Sequence, residues 1–491
     1  MGRPEFSRGK TIITSYGGAG GMVSGSCHTF ETRGFKLMAD CGEVQGEKDK
    51  IIEKNLKKNN LLLFEKFKGV DSLIITHAHA DHVARAPEAF AKGFNMRVYA
   101  TKETVDFMRP ILEDSVNIQS KKNRLQNKNQ DKSRIEKPRY DIHDVESMFR
   151  RTRGVEPFKE IPIGNNITVE FILNGHIGGS SSFLIRNYNN GINILFLGDT
   201  GKPIQSLCGG YLDFAAKYPK DPIHILVIDT TNFEKEPASA DESREELINI
   251  CNETCENGGN VVMPLLGLHR DQEIRETLHN NQNNGRLSSR IKFNDDSPFS
   301  RKIMTVYKSE YLNPRFGSDP FFYKTTEESM ARFDLKNFSL IETHKESMMN
   351  DLELARGGQG TVVFASGGMG EHGRSVNYLN GDFCKNPKNT VVWTCHQVEG
   401  TPGANMLYRE KKSRDKKQGA RVYSLGGFTS HASKFELFDC LERYNIGELF
   451  AAYFVHGTVS SIEAAKQETM KRYSGIKTYT SKIGEPIEIY H

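Results

Sequence analysis

A dense group of imidazole and carboxylate side chains comes directly after a short apolar run near residue 75. The segment Thr76–His82 reads T-H-A-H-A-D-H, and the predicted strand Asp71–Ile75 precedes it without a gap. Polar groups at the exit of a buried strand cost free energy unless they find partners. The chain must therefore fold so that these ligand-type side chains are satisfied together, and a metal site does this.

The spacing within this segment predicts two half-sites for metal ions. In a turn that leaves a strand, His77 and His79 can point to one side. Asp81 and His82, on the first turn of the following helix, then reach a neighbouring point. Two divalent ions about 3.5–4 Å apart would fit this arrangement and share a bridging hydroxide. Imidazole together with carboxylate suits zinc, and manganese or iron are the alternatives.

These ligands are too few for two ions, but other predicted strands also end in ligand-type residues. His176 follows the apolar run Ile167–Leu173, and Asp199 closes the run Ile192–Leu197. The strand-end candidates are Asp40, His176, Asp199 and His456. Taken alone, a strand-end acid or histidine is more often a cap than a ligand. Their recurrence beside the dense cluster predicts that the strand ends meet at one metal centre, where Asp199 can bridge two cations.

Short apolar runs alternate with helix-like segments along most of the chain, which predicts an α/β fold. Runs rich in Val, Ile, Leu or Phe, typical of buried strands, include Phe35–Ala39, Ile223–Ile228, Val261–Leu265, Val362–Ala365 and Val391–Thr394. The helix-like segments are Lys102–Asp114, Ser243–Asn257, Arg270–His279, Ser433–Arg443 and Ser461–Tyr473. Two polar stretches, Ser120–Arg139 and Asn280–Arg290, are predicted to be solvated loops.

Length and composition restrict the class of protein. A chain of 491 residues predicts two domains, or three. It has no apolar run long enough for a membrane span, and Met1–Lys10 lacks the apolar run of a secretory signal. None of the eight cysteines belongs to a CxxC pair, which predicts reduced thiols and a cytoplasmic location. The net charge of +4 permits nucleic-acid binding without pointing to it.

The segment His77–His82 matches the HxHxDH signature of the metallo-β-lactamase superfamily, which the chain resembles almost from end to end. Within that superfamily it is similar to the β-CASP nucleases of nucleic acids. These include the 3′-end pre-mRNA cleavage endonuclease, RNase J and compact bacterial and archaeal relatives. The other segments that carry this resemblance are Gly17–Cys27, Asp40–Gly42, Arg270–Glu273, Ser366–Leu379 and Gln397–Gly403.

Three further motifs define the β-CASP subfamily, and the chain has a residue for each. Asp229 stands at the acidic motif A, His431 at motif B and His456 at motif C. Histidine at motif C accompanies the RNA-processing members, so the resemblance implies an RNA substrate. The departures from the family pattern are Ala84 and Ala86 after the HxHxDH segment, His269 where glycine usually precedes the helix, and Ser433 after motif B. None of them removes a ligand.

The resemblance implies a metallo-β-lactamase αββα sandwich with an inserted α/β β-CASP domain. Residues 1–232 and 426–491 would form the sandwich and residues 233–425 the insertion, with the RNA path in the cleft between the two domains. It also implies two zinc ions per chain, with manganese as the alternative metal. The implied ligands are His77, His79 and His176 for one ion, Asp81, His82 and His456 for the other, Asp199 as the bridge, and Asp40 behind them as a hydrogen-bonding partner.

The implied activity is that of a zinc-dependent ribonuclease whose hydrolysis of phosphodiester bonds leaves a 5′-phosphate and a 3′-hydroxyl. His431 would protonate the departing 3′ oxygen with Asp229 orienting it, which is worth about 10²–10⁴-fold in rate. Asp81 and Asp40 complete the set of residues on which catalysis is expected to depend. The implied substrate contacts are Arg270, Ser366, Gly367, Gly368, Arg374, Gly400 and Thr401.

Several alternatives stay open on the sequence alone. Only His456 argues against a DNA nuclease of the same family. A small-molecule metallohydrolase of the lactamase or thioesterase type would share the metal site but would need neither His431 nor the insertion. A scaffold subunit is disfavoured because every ligand position is filled. Endonuclease and 5′–3′ exonuclease modes use the same residues, and a homodimer stays open as an assembly.

Overall fold

The computed structural model describes residues 9–32, 34–58, 65–127, 138–234, 238–312, 331–412, 419–480 and 482–491. The chain divides into two compact units. Unit 1 comprises Met1–Gln45, Asp49–Lys235 and Ser430–His491, and unit 2 comprises Gly46–Lys48 and Glu236–Thr429. Within the described residues, no helix is both long enough and apolar enough to cross a lipid bilayer.

Strands and helices alternate along the chain. The strands are β1 (Lys10–Gly17), β2 (Cys27–Thr32), β3 (Phe35–Ala39), β4 (Ser72–Ile74), β5 (Arg97–Thr101), β6 (Thr152–Val155), β7 (Glu160–Gly164), β8 (Ile167–Leu173), β9 (Ser181–Asn187), β10 (Ile192–Phe196), β11 (Ile225–Asp229), β12 (Val261–Leu265), β13 (Lys292–Asp296), β14 (Phe338–Leu340), β15 (Thr361–Ser366), β16 (Thr390–Trp393), β17 (Arg421–Ser424), β18 (Ala451–Val455), β19 (Lys477–Tyr479) and β20 (Pro486–Tyr490). The α-helices are α1 (Glu47–Lys58), α2 (Ala80–Val83), α3 (Pro87–Ala91), α4 (Lys102–Asn127), α5 (Ile142–Phe149), α6 (Tyr211–Phe214), α7 (Ala240–Glu256), α8 (Arg270–Asn283), α9 (Pro298–Leu312), α10 (His344–Ala355), α11 (Ser375–Asn380), α12 (Pro402–Lys412), α13 (Lys434–Leu441) and α14 (Val459–Arg472).

Among its described residues, unit 1 has two seven-stranded sheets, each partly antiparallel and partly parallel. The first has the order β20-β1-β2-β3-β4-β5-β6, and the second has the order β19-β18-β11-β10-β9-β8-β7. In the first sheet the neighbours from β20 to β3 are antiparallel and those from β3 to β6 are parallel. In the second, β7 to β10 are antiparallel, whereas β10, β11, β18 and β19 pair in parallel. The C-terminal segment therefore contributes strands to both sheets.

The two sheets of unit 1 share one hydrophobic core. Because side chains alternate along a strand, one face of each sheet points inward, and buried residues of both sheets form a single cluster. Phe30 of β2 meets Phe196 of β10 edge to face, with ring centroids 5.9 Å apart. Phe196 also stacks on Phe183 of β9, at 4.9 Å. Helix α4 packs against β5 and β6, and α14 against β18, which gives the αββα sandwich that the sequence predicts.

Unit 2 is built on a six-stranded sheet with the order β14-β13-β15-β12-β16-β17. Every pairing in it is parallel. Parallel strands are usually apolar on both faces because helices cover both. In β12, Val261 and Met263 belong to one apolar cluster and Val262 to another. Unit 2 is thus an α/β structure with a core on each side of its sheet.

One predicted loop is partly a helix. We expect a solvated loop at Ser120–Arg139 from its composition, but α4 continues through residues 120–127, and residues 128–137 lie outside the described part of the chain. Leu112, Ser115 and Gln119 are buried on one face of this helix, at amphipathic spacing. Packing of that face outweighs the polar composition of the rest. At Asn280–Arg290 the loop prediction is wrong only for residues 280–283, which end α8.

Candidate metal centre

The ligand-type side chains of unit 1 lie on turns that follow strand ends. These strand-end residues are Asp40 after β3, His77 after β4, His176 after β8, Asp199 after β10, Asp229 at the end of β11 and His456 after β18. Asp40 and His456 have positive φ angles of 57° and 56°, which non-glycine residues adopt rarely and often at functional sites. The backbone N–H of Asp40 donates to Ile74 at 2.8 Å and that of His456 to Gly18 at 2.7 Å. These bonds hold both strained turns in place.

One group of donor atoms comes from three histidines and one aspartate. Atoms of His77, His79, His176 and Asp199 all lie within 4.8 Å of one another. Nδ1 of His79 is 3.0 Å from Nε2 of His77 and 3.3 Å from Nε2 of His176. Oδ2 of Asp199 is 3.7 Å from Nε2 of His77 and 3.6 Å from Nε2 of His176. Three imidazole nitrogens and a carboxylate oxygen match the donor set of a four-coordinate zinc ion.

A second group lies beside the first and shares Asp199 with it. Donor atoms of Asp81, His82 and His456 lie within 4.8 Å of one another. Oδ1 of Asp199 is 3.3 Å from Nε2 of His82 and 3.7 Å from Nδ1 of His456. The two oxygens of Asp199 therefore face different groups, Oδ2 the first and Oδ1 the second. Asp81 and His82 lie on α2, directly after the HxH turn, as the sequence predicts.

Among the described residues, three buried polar atoms at this site make no hydrogen bond of good geometry, although two of them lie 3.3 Å apart as an ion pair. They are Nε2 of His82, Oδ1 of Asp199 and Nε2 of His456. A buried polar group without a partner costs about 1–3 kcal/mol. All three atoms belong to the second group or face it, and all three are of types that bind divalent cations. The residues present therefore fit a pair of such cations, and a bound cation would satisfy the orphaned atoms.

Burial dominates the pKa values of the first group. The pKa of His77 is well below its usual value, because of burial first and the neighbouring histidines second. Burial also lowers the pKa of His79 to about 4, against the opposing charges of Asp81 and Asp199. Both imidazoles are therefore neutral near pH 7, which is the form that binds metals.

Carboxylates dominate the pKa values of the second group. Burial disfavours charge on His82, but Asp199 and Asp40 outweigh this and raise its pKa to about 10. The pKa of His456 is raised well above its usual value, because Asp199, Asp229 and Asp81 together outweigh burial. Without a cation, protons on these two imidazoles balance the carboxylate charge. A divalent cation would take over that role.

His431 lies at the edge of the donor groups and is 21% exposed along its side chain. Its Nδ1 is 3.4 Å from Oδ2 of Asp229, and its Nε2 is 3.8 Å from Oδ2 of Asp199. A β-bridge to Gly201 anchors its backbone. The N–H of Thr231 donates to Asp229 at 2.8 Å, which fixes the carboxylate that faces the imidazole. His431 is thus held by an acid on one side and reaches solvent on the other.

Sequence reasoning missed the hydroxyl and amide groups that hold the ligands. Thr76 donates through its N–H (2.8 Å) and its hydroxyl (2.9 Å) to the carboxylate of Asp40. The hydroxyl of Thr231 lies 2.8 Å from Nδ1 of His456. Asn174 donates to the backbone oxygen of Asp199 at 2.9 Å. Their one sequence signal is position, since each lies within two residues of a predicted site residue.

The predicted substrate contacts all lie in unit 2, and some of them come together. The N–H of Arg374 donates to the hydroxyl of Ser366 at 3.2 Å, and a Cβ at Gly367 would lie 1.9 Å from a backbone oxygen. The guanidinium of Arg270 is buried and paired with Glu273. The remaining predicted contacts are Gly368, Gly400 and Thr401. A Cβ added at Gly368 would clash with Leu266, and Gly400 has a positive φ of 88°. The hydroxyl of Thr401 donates to the backbone oxygen of Val398.

His269 stands where the family usually has glycine, and its backbone explains that preference. It has a φ of 72°, in the region that glycine adopts without strain. The side chain is buried, and its Nδ1 lies 2.9 Å from the hydroxyl of Tyr307. The histidine therefore keeps the glycine-type turn at the start of α8 and adds a side-chain contact to it.

The stacked sheets of unit 1, with histidines and aspartates converging at their strand ends, define a metallo-β-lactamase type of metal-dependent hydrolase. The model of the metallo-β-lactamase superfamily matches residues 21–232, and the model of the Beta-Casp domain matches residues 272–406. The chain therefore belongs to the metallo-β-lactamase superfamily and, within it, to the β-CASP proteins.

Several curated relatives of the chain bear the names of nucleases. A ribonuclease from Thermus thermophilus is 27% identical over 438 residues, which cover 87% of this chain and 89% of the relative. An RNase J-like protein from Methanocaldococcus jannaschii is 25% identical, with 80% of each chain covered. Endoribonuclease ysh1 from Schizosaccharomyces pombe is 27% identical over 78% of this chain and 46% of its own length. The predicted enzyme class, a metal-dependent nuclease, is confirmed at the level of the family.

A solved structure shows the same overall fold. It is a protein of unknown function from Enterococcus faecalis V583, with a TM-score of 0.53 and 14% sequence identity. The match covers 98% of this chain and 100% of the other. At this identity the likeness concerns the fold alone.

Proposed function

We propose that the chain is a zinc-dependent ribonuclease that hydrolyses RNA phosphodiester bonds with two zinc ions and leaves a 5′-phosphate and a 3′-hydroxyl. The observation that carries this proposal is the position of Asp199, whose two oxygens face two separate groups of histidines and acids. One carboxylate between two donor groups is the arrangement that a two-metal hydrolase uses. Manganese is the alternative metal.

The ligand assignment follows the two donor groups. His77, His79 and His176 would hold one ion, and Asp81, His82 and His456 the other, with Asp199 between them. Asp40 would not bind metal, because its carboxylate is occupied by Thr76 and by Nδ1 of His82 at 2.8 Å. It instead fixes the ring of His82 so that Nε2 faces the site, and such hydrogen-bonded partners typically tune metal affinity.

The chain's own residues supply orientation and a proton. When bound, the zinc pair would acidify a shared water and offset phosphate charge. His431 stands beside the donor groups and is oriented by Asp229 at 3.4 Å. We assign to it the transfer of a proton to the departing 3′ oxygen, since a leaving alkoxide needs one and His431 is a partly exposed imidazole beside the donor groups. Asp40 contributes by holding His82, and Asp81 contributes as a proposed ligand of the second ion.

RNA is the proposed substrate because His456 occupies motif C and because the relatives named above are ribonucleases. The proposed contacts with RNA in unit 2 are Arg270, Ser366, Gly367, Gly368, Arg374, Gly400 and Thr401. The division into residues 1–232, 233–425 and 426–491 and a cytoplasmic location belong to the same proposal. Both endonuclease and exonuclease action, and a homodimer, are compatible with it.

The test compares metal-replete wild-type protein with Asp199→Ala on end-labelled RNA, on DNA of the same sequence, and on a chromogenic β-lactam and thioester. We expect RNA cleavage by the wild type, two zinc ions by elemental analysis, and loss of at least one ion in the variant. Preferential cleavage of DNA, or turnover of the small molecules alone, would overturn the substrate assignment. Full metal occupancy in Asp199→Ala would overturn the bridging role.

A second experiment separates the two modes of cleavage. RNA with a 5′-triphosphate is compared with RNA carrying a 5′-monophosphate, each with and without a structured end. Internal fragments from all substrates indicate an endonuclease. Mononucleotides released from the 5′-monophosphate substrate indicate a 5′–3′ exonuclease.

A further inference from the structure

Three large apolar side chains are exposed on unit 1, in the loop after Asp199, in α6 and in α13. They are Ile204, which is 75% exposed, Leu212, which is 39% exposed, and Phe435, which is 62% exposed; we call them the apolar patch. Single exposed apolar residues are ordinary, but a group of them marks a binding surface. None of these residues contributes to the donor groups of the metal centre.

Backbone contacts place the apolar patch beside the catalytic region. A β-bridge joins Gly201 to His431, so the loop after Asp199 runs next to the motif B segment. The N–H of Leu212 donates to the backbone oxygen of Pro203 at 3.3 Å, which brings Leu212 to the residue that precedes Ile204.

The same surface continues onto α13. The hydroxyl of Tyr211 donates to Asp439 at 2.8 Å, which ties α6 to α13. Phe435 lies four residues before Asp439 and therefore on the same face of that helix. The inward face of α13 is formed by other residues, among them Leu437 and Phe438, which are buried. Phe435 is thus left at the surface, four residues after His431 in sequence.

The chemistry of the apolar patch suits a nucleotide. Nζ of Lys434 lies 5.0 Å from the centroid of the Phe435 ring, so a cation accompanies an exposed aromatic face. Proteins that bind single-stranded nucleic acid combine these two elements, an aromatic ring on which a base stacks and a positive charge for the phosphate.

We propose that the apolar patch is a nucleobase-binding subsite, in which a base next to the scissile phosphate stacks on Phe435 and Lys434 meets a neighbouring phosphate. The subsite rests on the proposed function, because it needs a nucleic-acid substrate whose cleaved bond lies near His431. Its role is to position the substrate and not to react with it. Since every base has a stacking face, the subsite selects unpaired nucleotides without selecting a sequence.

The test uses a short single-stranded RNA that carries 2-aminopurine, whose fluorescence is quenched by stacking, at successive positions. With wild-type protein we expect quenching at one position near the cleavage site, and with Phe435→Ala we expect it to disappear. On the unlabelled RNA the variant should raise KM about 5- to 100-fold, the size of one lost stacking contact, with a smaller change in kcat. Phe435→Tyr should restore both readouts.

Tyr188→Ala is the matched control, because Tyr188 is 60% exposed on the same unit. It lies in the turn between β9 and β10, whereas His176 precedes β9 and Asp199 follows β10, at the opposite ends of these strands. Equal quenching and equal KM in wild type and Phe435→Ala would overturn the subsite and leave the patch to a protein partner. Quenching does not require cleavage, so a wild type that cleaves no RNA would refute the proposed function separately.

Discussion

Nδ1 of His82 lies 2.8 Å from Oδ2 of Asp40 in the buried floor of the metal centre. Thr76 fixes the same carboxylate through its N–H and its hydroxyl. This contact leaves only Nε2 of His82 for a cation and aims it toward Asp199. Asp40 thus orients His82, a proposed metal ligand, without itself facing the cation.

Replacing Asp40 by asparagine tests this relationship. The amide keeps the shape of the side chain but removes its charge and places a donor where only acceptors fit. We expect the affinity of the position formed by Asp81, His82 and His456 to fall about 10–100-fold, while the other position keeps its metal. Metal titration followed by elemental analysis measures both. Asp71→Asn is the control, because Asp71 is exposed, precedes β4 and accepts the backbone N–H of Lys36. An equal loss of metal affinity in Asp71→Asn would contradict the prediction.

A substitution of His431 separates metal binding from proton transfer. His431→Ala should keep zinc content near that of the wild type, because each of the two proposed metal positions keeps its own ligands without it. Turnover of RNA should fall about 10²–10⁴-fold, the range for loss of a general acid. Elemental analysis and steady-state kinetics provide the two readouts, with the exposed His143 replaced by alanine as control. Unchanged turnover would remove His431 from the mechanism.

The positions of the candidate ligands at strand ends could be predicted from the sequence, and physical reasons explain this. Buried strands are short and apolar, so an acid or histidine after one of them is conspicuous, and β3, β8 and β12 begin and end at the predicted residues. What links separate strand ends is tertiary packing, which no local pattern encodes. The family resemblance, and not periodicity, supplied the grouping of these ends and the inserted domain.

Other features could not be predicted, because they depend on the environment of each residue. The positive φ of Asp40 and of His456 is imposed by hydrogen bonds to distant backbone groups. The polar C-terminal part of α4 looks like a loop, but it continues a helix whose preceding turns, with Leu112 and Gln119, are buried. Thr76 and Thr231 are ordinary residues in sequence, and only their distances reveal that they hold ligands.

Loading of the second donor group should release protons. The pKa of His82 is raised to about 10, and that of His456 is raised well above its usual value, so both carry a proton at pH 7.5 in the absence of metal. The pKa values of His77 and His79 are lowered, so these imidazoles are already neutral. Because ligands must be deprotonated to bind, zinc should displace about two protons from His82 and His456 and none from His77 and His79.

Calorimetric titration with zinc in two buffers of different ionisation enthalpy measures this release. The apparent enthalpy of one binding step should depend on the buffer, and that of the other should not. The affinity of the proton-releasing step should also rise with pH between 6 and 8, by about two orders of magnitude per pH unit for two protons. In Asp40→Asn the release should decrease, since one of the carboxylates that raise the pKa of His82 is lost. Two binding steps with equal buffer dependence would contradict the assignment of proton release to the second donor group.

Glu103, at the start of α4, gives unit 1 a pH-dependent stability. Burial raises the pKa of its carboxyl to about 7, and its Oε2 has no hydrogen-bond partner among the described residues. In the unfolded chain the group titrates near 4.5, so the folded state binds the proton more tightly. The stability that this proton contributes is complete below pH 4.5 and is lost as the pH rises through 7. Complete loss amounts to something on the order of 3 kcal/mol.

Glu103→Gln should remove this loss, because the amide stays neutral at every pH. We expect the difference in unfolding free energy between variant and wild type to grow in favour of the variant from pH 5 to pH 8 and then to level off. Chemical denaturation followed by circular dichroism measures it, with metal-replete and metal-stripped protein compared so that metal loss at low pH is accounted for. Glu113→Gln, at a half-buried position of the same helix, controls for the loss of a carboxylate there. A difference that stays constant with pH would show that the Glu103 carboxyl is ionised in the folded protein.

Thr101 and Thr104 of the same segment donate to the backbone oxygen of Gly179, in the loop that carries His176. If the buried charge disturbs His176, a proposed ligand, Glu103→Gln should also retain more zinc than the wild type at pH 8, which elemental analysis measures.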